Sequence, residues 1–215
     1  MEPVGAVLWL HGGGWRARST ETGAALAGHG LLVLPGSYRL SGEACWPAQL
    51  ADVRACARAA REQIGDLPLL VAGDSAGAHL ALHLGLRGID RRDDVDGVLA
   101  FWPPVDPLAE DWLRTRGDDD PWTRLIGHPP AADDPATVDS SPLAHVGNRV
   151  PVLVVHGTQD TAVPVSQTVA LTSALIRAGH PVHSLITNGG HGLDLDREDL
   201  RAVIRAFLGA TLHRL

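Results

Sequence analysis

The sequence predicts an α/β fold in three layers, a mostly parallel sheet of about six strands sandwiched between helices. Three observations carry this reading. Short apolar runs alternate with helical stretches along the chain, which is the pattern of successive βα units. A chain of 215 residues, 45% hydrophobic and 20% charged, suits a single domain spanning 1–215 with a sizeable core. The run Gly73-Asp74-Ser75-Ala76-Gly77 stands between an apolar stretch and a helical one, so the chain turns sharply from strand to helix there.

The elements follow in order. The first strand is expected over about Ala6 to Leu10. A helix is expected within Ser19 to His29, then a strand from Leu31 to Leu34 that stops at Pro35-Gly36. The clearest helix runs from Pro47 to Ile64. Leu50, Val53, Ala57, Ala60 and Ile64 step by three and four, Pro47 suits the first helical position, and Gly65 ends it. A strand from Leu69 to Ala72 leads to Ser75 and a helix up to Arg87, and another strand covers Val98 to Trp102. The segment 103–149 is rich in Pro and Asp without a sustained period, so it reads as an insertion or lid. Regular alternation resumes with a strand Val152 to Val155, a helix from about Pro164 to Ala178, a strand Val182 to Thr187 and a last helix of about Asp196 to Leu208.

Three side chains fall on loops beyond strand ends, where open α/β sheets place their chemistry. Ser75 is the candidate nucleophile. A serine hydroxyl is weak by itself and needs exposure, a fixed position and a base. Asp160 follows the strand ending at Val155, and His191 lies in Gly189-Gly190-His191-Gly192 after the strand ending at Thr187. In these roles His191 takes the serine proton and returns it to the leaving group, while Asp160 orients the imidazole. Asp194 and Asp196 compete for the acid role, but they follow His191 and suit capping of the last helix. The run His11-Gly12-Gly13-Gly14-Trp15 frees backbone amides to face a developing oxyanion, and the amide of Ala76 completes the set.

With these residues in hand, the chain resembles the α/β-hydrolase superfamily, in its HGGG-type esterase branch. That branch includes hormone-sensitive-lipase-like carboxylesterases, feruloyl/acetyl-xylan esterases and kynurenine formamidases. Tyr38-Arg39-Leu40, Trp46-Pro47-Ala48-Gln49-Leu50-Ala51-Asp52-Val53 and Ser141-Pro142-Leu143 match it as well. The resemblance covers nearly the whole chain. It implies a triad of Ser75, Asp160 and His191, oxyanion donors Gly13, Gly14 and Ala76, and a serine hydrolase that cleaves small or short-acyl carboxylic esters without a cofactor. An amide-cleaving activity of formamidase or peptidase type is the alternative. A non-catalytic ligand receptor on the same fold is a further one, disfavoured by the retained His191. The usual fold has two strands before the strand that leads into the HGGG loop, and about ten residues precede His11 here. The sheet is therefore expected to lack those two strands and to leave Leu31 to Leu34 at an edge. The edge is short, or a second copy covers it as a homodimer, or the reading frame starts upstream.

Composition narrows the partners. A net charge of −7 disfavours nucleic acid and anionic membranes. All basic residues other than histidine are Arg, which excludes a Lys base. Cys45 and Cys56 form no C-x-x-C, and Met1 to Gly5 shows no basic n-region, so a reducing, cytoplasmic setting is expected. No metal site is read: His79 and His83 are four apart on one helix face, but without H-E-x-x-H they read as a buried structural pair. The run Asp118-Asp119-Asp120 reads as a solvated loop. Trp15 and Trp102 line the pocket or pack in the core. Trp112 and Trp122 cover the site or anchor the insertion. Asp74 receives no role.

Overall fold

The computed structural model describes residues 2–87, 95–115 and 119–212. Among them, six strands form one wholly parallel sheet: β1 (Gly5–Leu10), β2 (Leu31–Gly36), β3 (Leu69–Asp74), β4 (Gly97–Phe101), β5 (Val152–Gly157) and β6 (Val182–Thr187). Their order is β2-β1-β3-β4-β5-β6. The four inner strands are buried at every residue, and the two edge strands are not. A strand covered on both faces must be apolar on both, which is why the inner strands read as unbroken apolar runs.

Alternate residues of each strand feed two cores. Ala6, Leu8, Leu10, Val71 and Val98 pack against α1 (Ala48–Ile64), α2 (Ala76–Arg87) and α6 (Ser166–Arg177). Val7, Trp9, Leu70, Leu99 and Leu153 face the other way, toward Leu26 and the apolar stripe Leu200, Ile204 and Phe207 of α7 (Glu198–Leu212). The result is the three-layer sandwich expected from the alternation of elements.

Several boundaries differ for identifiable reasons. The expected helix within Ser19 to His29 is a 3-10 turn, Ala24–His29, bracketed by the left-handed Gly23 and Gly30. Strand β2 does not stop at Pro35: Pro35 pairs with Trp9 and Gly36 with Leu10. An edge strand needs donors toward one neighbour only, so a proline is tolerated there. Pro47 caps α1 rather than opening it, after a cis Trp46-Pro47 bond. The last helix begins at Glu198 and runs to Leu212, later at both ends than expected. The segment 103–149 carries three short helices, α3 (Glu110–Thr115), α4 (Pro121–Ile126) and α5 (Pro135–Ser140), then a 3-10 turn, Pro142–His145. Asp120 and Asp134 cap α4 and α5 with their carboxylates, each before a proline at the helix start. One-and-a-half-turn helices are too short to show a hydrophobic period, so capping chemistry was their only signal in the sequence.

Strand order reverses at β1, whose neighbours are β2 on one side and β3 on the other. The loops that leave β1 and β3 therefore diverge and open a crevice at their C-terminal ends, the usual binding position of open α/β sheets. Close packing sets the distance across it. A Cβ on Gly77 would come within 2.5 Å of the Leu10 carbonyl carbon and 2.7 Å of the His11 carbonyl oxygen. A Cβ on Gly73 would meet the Leu10 oxygen at 2.6 Å. Gly77→Ala is therefore expected to destabilise the fold by about 3 kcal/mol or more through backbone overpacking. That lowers Tm by roughly 6 °C or more for a chain of this size. A thermal melt within a degree of the parent would contradict the packing.

Candidate active site

The turn after β3 holds Ser75 at φ 51°, a left-handed conformation that costs a non-glycine residue strain. Two backbone bonds keep it there. The Ser75 amide donates to the Phe101 carbonyl at 2.9 Å, and the Ser75 carbonyl accepts from the His79 amide at 3.1 Å. The hydroxyl therefore rides on the junction of β3 with α2. Helix α2 starts at Ala76, so the Ala76 amide is a first-turn donor with no acceptor inside the helix.

Across the crevice, the loop after β1 is tied down at each step. The Tyr38 hydroxyl donates to the His11 carbonyl at 2.7 Å, and its ring stacks on the His11 imidazole at 4.4 Å. The Gly12 amide donates to Asp74 Oδ1 at 2.7 Å. The Gly13 carbonyl accepts from the amides of Arg16 and Ala17 at 3.2 and 3.1 Å. Gly13 sits at φ 111°, and Gly14 and Trp15 follow at 60° and 57°. Three successive positive φ values form a tight reversal, which explains the glycines.

His191 and Asp160 arrive from the loops after β6 and β5. The Thr158 amide donates to the Thr187 carbonyl at 2.8 Å, and the Gln159 amide to the Gly189 carbonyl at 2.8 Å. These two bonds hold the loops together. His191 Nδ1 lies 2.7 Å from Asp160 Oδ2, and Asp160 Oδ1 accepts from the amides of Ala162 and Val163 at 2.9 and 2.8 Å. The Asp160 carboxyl is fully buried, whereas His191 stays about one-third exposed. Burial opposes ionisation of Asp160, but its hydrogen bonds from His156, His191 and Val163 outweigh that and hold the carboxyl well below the usual carboxylate range.

These groups meet in one cleft of about 470 Å³, lined by Gly13, Gly14, Ser75, Ala76 and His191. Pro104, Trp112, Pro121 and Val163 supply its apolar walls. Of the two aromatics expected there, Trp15 borders the cleft but buries its ring, 1% exposed, in the core against His79 and Trp122. Trp102 does not line the cleft. It sits at φ 42°, packs in the opposite core with Phe101, and shows only its ring to His191, centroids 6.0 Å apart. Trp112 does line the cleft, and Trp122 packs behind it.

His79 and His83 are fully buried, and both contact the Ser140 carbonyl, at 2.7 and 2.9 Å. The Trp15 indole donates to His79 Nδ1 at 3.2 Å, and Arg87 donates to His83 Nδ1 at 3.1 Å. Both rings are therefore neutral, with their protons on Nε2 toward Ser140, and burial lowers the pKa of each. Asp119 bridges Arg16 and Arg124, Asp120 caps α4, and Asp118 lies outside the described residues. The reading of a solvated acidic run thus holds for the exposed Asp119 and is corrected for the buried Asp120. Asp194 accepts from the Asp196 amide, and Asp196 pairs with Arg201.

The sequence profile of the BD-FAE family matches residues 1–175. The chain belongs to the BD-FAE family, a branch of the α/β-hydrolase esterases. Among curated relatives, this BD-FAE chain is 27% identical over 218 residues to esterase LipC of Mycobacterium tuberculosis, covering 90% of this chain and 54% of LipC. It is 27% identical over 224 residues to esterase LipQ of the same organism, covering 88% and 50%. The chain thus spans about half the length of these relatives. Among solved structures, a truncated carbohydrate esterase from gut microbiota superposes with a TM-score of 0.86 at 25% identity, covering 99% of this chain and 87% of that one.

Asp74, without a role from sequence, joins the two sides of the crevice. Burial, against its bond from Gly12, raises its pKa to about 6. Its charged form therefore costs about 3 kcal/mol more in the fold than in water. Because the folded pKa lies above the ordinary 3.8, that cost builds between about pH 4 and 6 and persists above. Asp74→Asn, which keeps the acceptor for Gly12, is expected to raise Tm at pH 8 and to lose most of that gain at pH 4. Equal Tm differences at both values would contradict the buried charge.

Proposed function

We propose that this chain is a serine hydrolase of small or short-acyl carboxylic esters, with Ser75, His191 and Asp160 as its triad. The observation that carries the reading is the His191–Asp160 bond opening into the same cleft as the left-handed Ser75. The names of the relatives, esterases LipC and LipQ, support the ester class.

In this reading the Ser75 oxygen attacks the ester carbonyl carbon while His191 Nε2 takes its proton. The tetrahedral oxyanion faces the amides of Gly13, Gly14 and Ala76. Each such donor is worth roughly 10²–10³ in kcat. Collapse breaks the bond to the alcohol, which leaves with the proton from His191. Water then attacks the acyl-enzyme, His191 takes one of its protons, and Ser75 leaves as a hydroxyl when the acid is released. Asp160 keeps its negative charge throughout and stabilises the imidazolium. In this reading Trp112, Pro104 and Val163, which line the cleft, bound the acyl side and favour short chains. The free thiols of Cys45 and Cys56 suit a reducing, cytoplasmic setting.

The test combines a fluorophosphonate probe with p-nitrophenyl esters of graded length and a formyl-amide control. The parent should label on Ser75 and cleave acetate and butyrate faster than octanoate by roughly tenfold or more. Ser75→Ala should lose at least about 10³-fold, and activity should fall on acidification as His191 protonates. Full activity in Ser75→Ala would sink the proposal, and a formyl amide cleaved in preference to every ester would replace the ester class.

A further inference from the structure

Asp160 has one neighbour more than a triad requires. His156, the penultimate residue of β5, is fully buried, and its Nε2 lies 3.2 Å from the same Oδ2 that faces His191. That Nε2 is also 2.9 Å from the Val163 carbonyl, while Nδ1 is 2.7 Å from Thr168 Oγ1 of α6. These contacts settle where the proton sits. A carbonyl can only accept, so Nε2 carries the proton that bonds Val163, and that one N–H also faces the Asp160 carboxylate at 3.2 Å. In the neutral ring Nδ1 then accepts from the Thr168 hydroxyl.

We infer that His156 is a positioning residue for the ester cleavage proposed above, its Nε2–H holding the Asp160 carboxylate in the plane that His191 needs. The inference rests on that reading of Ser75, His191 and Asp160. Its physical basis is the softness of the carboxylate torsion, which is broad and nearly two-fold by itself. The amides of Ala162 and Val163 hold only Oδ1. Without His156, Oδ2 would be held by His191 alone, and His191 is the member of the pair that must shuttle a proton. A donor fixed from behind by Thr168 and Val163 supplies an orientation that does not depend on the shuttle. This arrangement parallels the outer partners that orient metal ligands, whose loss commonly costs 10–100-fold.

His156 also tunes charge. It shares Oδ2 with His191, so it lessens the negative charge that His191 faces. The titratable groups facing the Asp160–His191 pair are His156 from β5 and Asp74 from the turn after β3. Removing His156 leaves Oδ2 to His191 alone. The imidazolium is then better stabilised, and the acid limb of activity moves to higher pH.

The experiment compares His156→Leu, which removes the donor, with His156→Gln, whose amide restores an N–H at similar reach. Active sites are counted with the fluorophosphonate, and kcat, KM and the pH profile are expressed per labelled site, with Ser75→Ala as control. The expected result is a loss of roughly 10–100-fold in kcat for the Leu variant, with KM changed little. Its acid limb should rise by about half a pH unit or more, and Gln should recover most of both effects. A purely structural role would lower the number of labelled sites and the melting temperature, but leave per-site kcat and the acid limb in place; that outcome overturns the inference. So does a Gln variant no better than Leu. Should Leu fail to fold, Thr168→Val frees Nδ1 and is expected to shift the limb the same way by less; an unmoved limb then overturns it. If Ser75→Ala retains activity, it is the triad reading that fails, independently of His156.

Discussion

The contact between the turn after β3 and the end of β1 governs the geometry of this molecule. Gly73 and Gly77 let that turn approach the carbonyls of Leu10 and His11 to a distance no Cβ would allow. The Asp74 carboxylate then crosses the same gap to the Gly12 amide. The proposed attack of Ser75 needs its hydroxyl and the facing amides placed to within fractions of an ångström. Here the spacing comes from backbone touching backbone, which is much stiffer than any side-chain contact. The left-handed Ser75 and Trp15 are strains held beside this contact.

A second set of buried polar groups extends that rigidity outward. Trp15, immediately after the glycine loop, donates to His79. His79 and His83 then share the Ser140 carbonyl of α5, and Arg87 donates to His83 and to the Asp139 carbonyl. Two neutral imidazoles thereby fasten the segment 103–149 to the helix behind the serine. Both Nδ1 atoms accept and both Nε2 atoms reach the Ser140 carbonyl, so the two rings are held in one orientation. The walls of the cleft, Pro104, Trp112 and Pro121, belong to this fastened segment. Cleft shape and the position of Ser75 are thus linked through α2.

Much of the candidate site was legible before folding, because its chemistry has local signatures. G-x-S-x-G between strand and helix, the glycine loop after β1, and an Asp and a His each past a strand end are short-range patterns. Gly13, Gly14, Ser75, Ala76 and His191 line one cleft, and Asp160 bonds His191. For Trp102 the sequence left pocket and core both open, because a strand-end position does not say which face of the sheet a ring will occupy. Its positive φ turns it into the opposite core. Asp74 sits inside the serine motif and His156 near the end of β5, and no local pattern names a task for either. Their partners, Gly12 and the Asp160 carboxylate, are set by loop paths that no periodicity reports. Pro35 was taken as a strand end since its missing donor matters only where a neighbour needs it, and at the edge none does.

The sequence by itself determined the βα alternation, the apolar faces and the identities of the chemically capable residues. These follow from backbone propensity and from the need to cover both sides of a parallel sheet. The tertiary structure alone decided distances: which carbonyls lie within reach of Gly77, which oxygen of Asp160 two imidazoles share, and which walls the short helices of 103–149 present. Such distances arise from packing between segments far apart in the chain, so no local pattern encodes them.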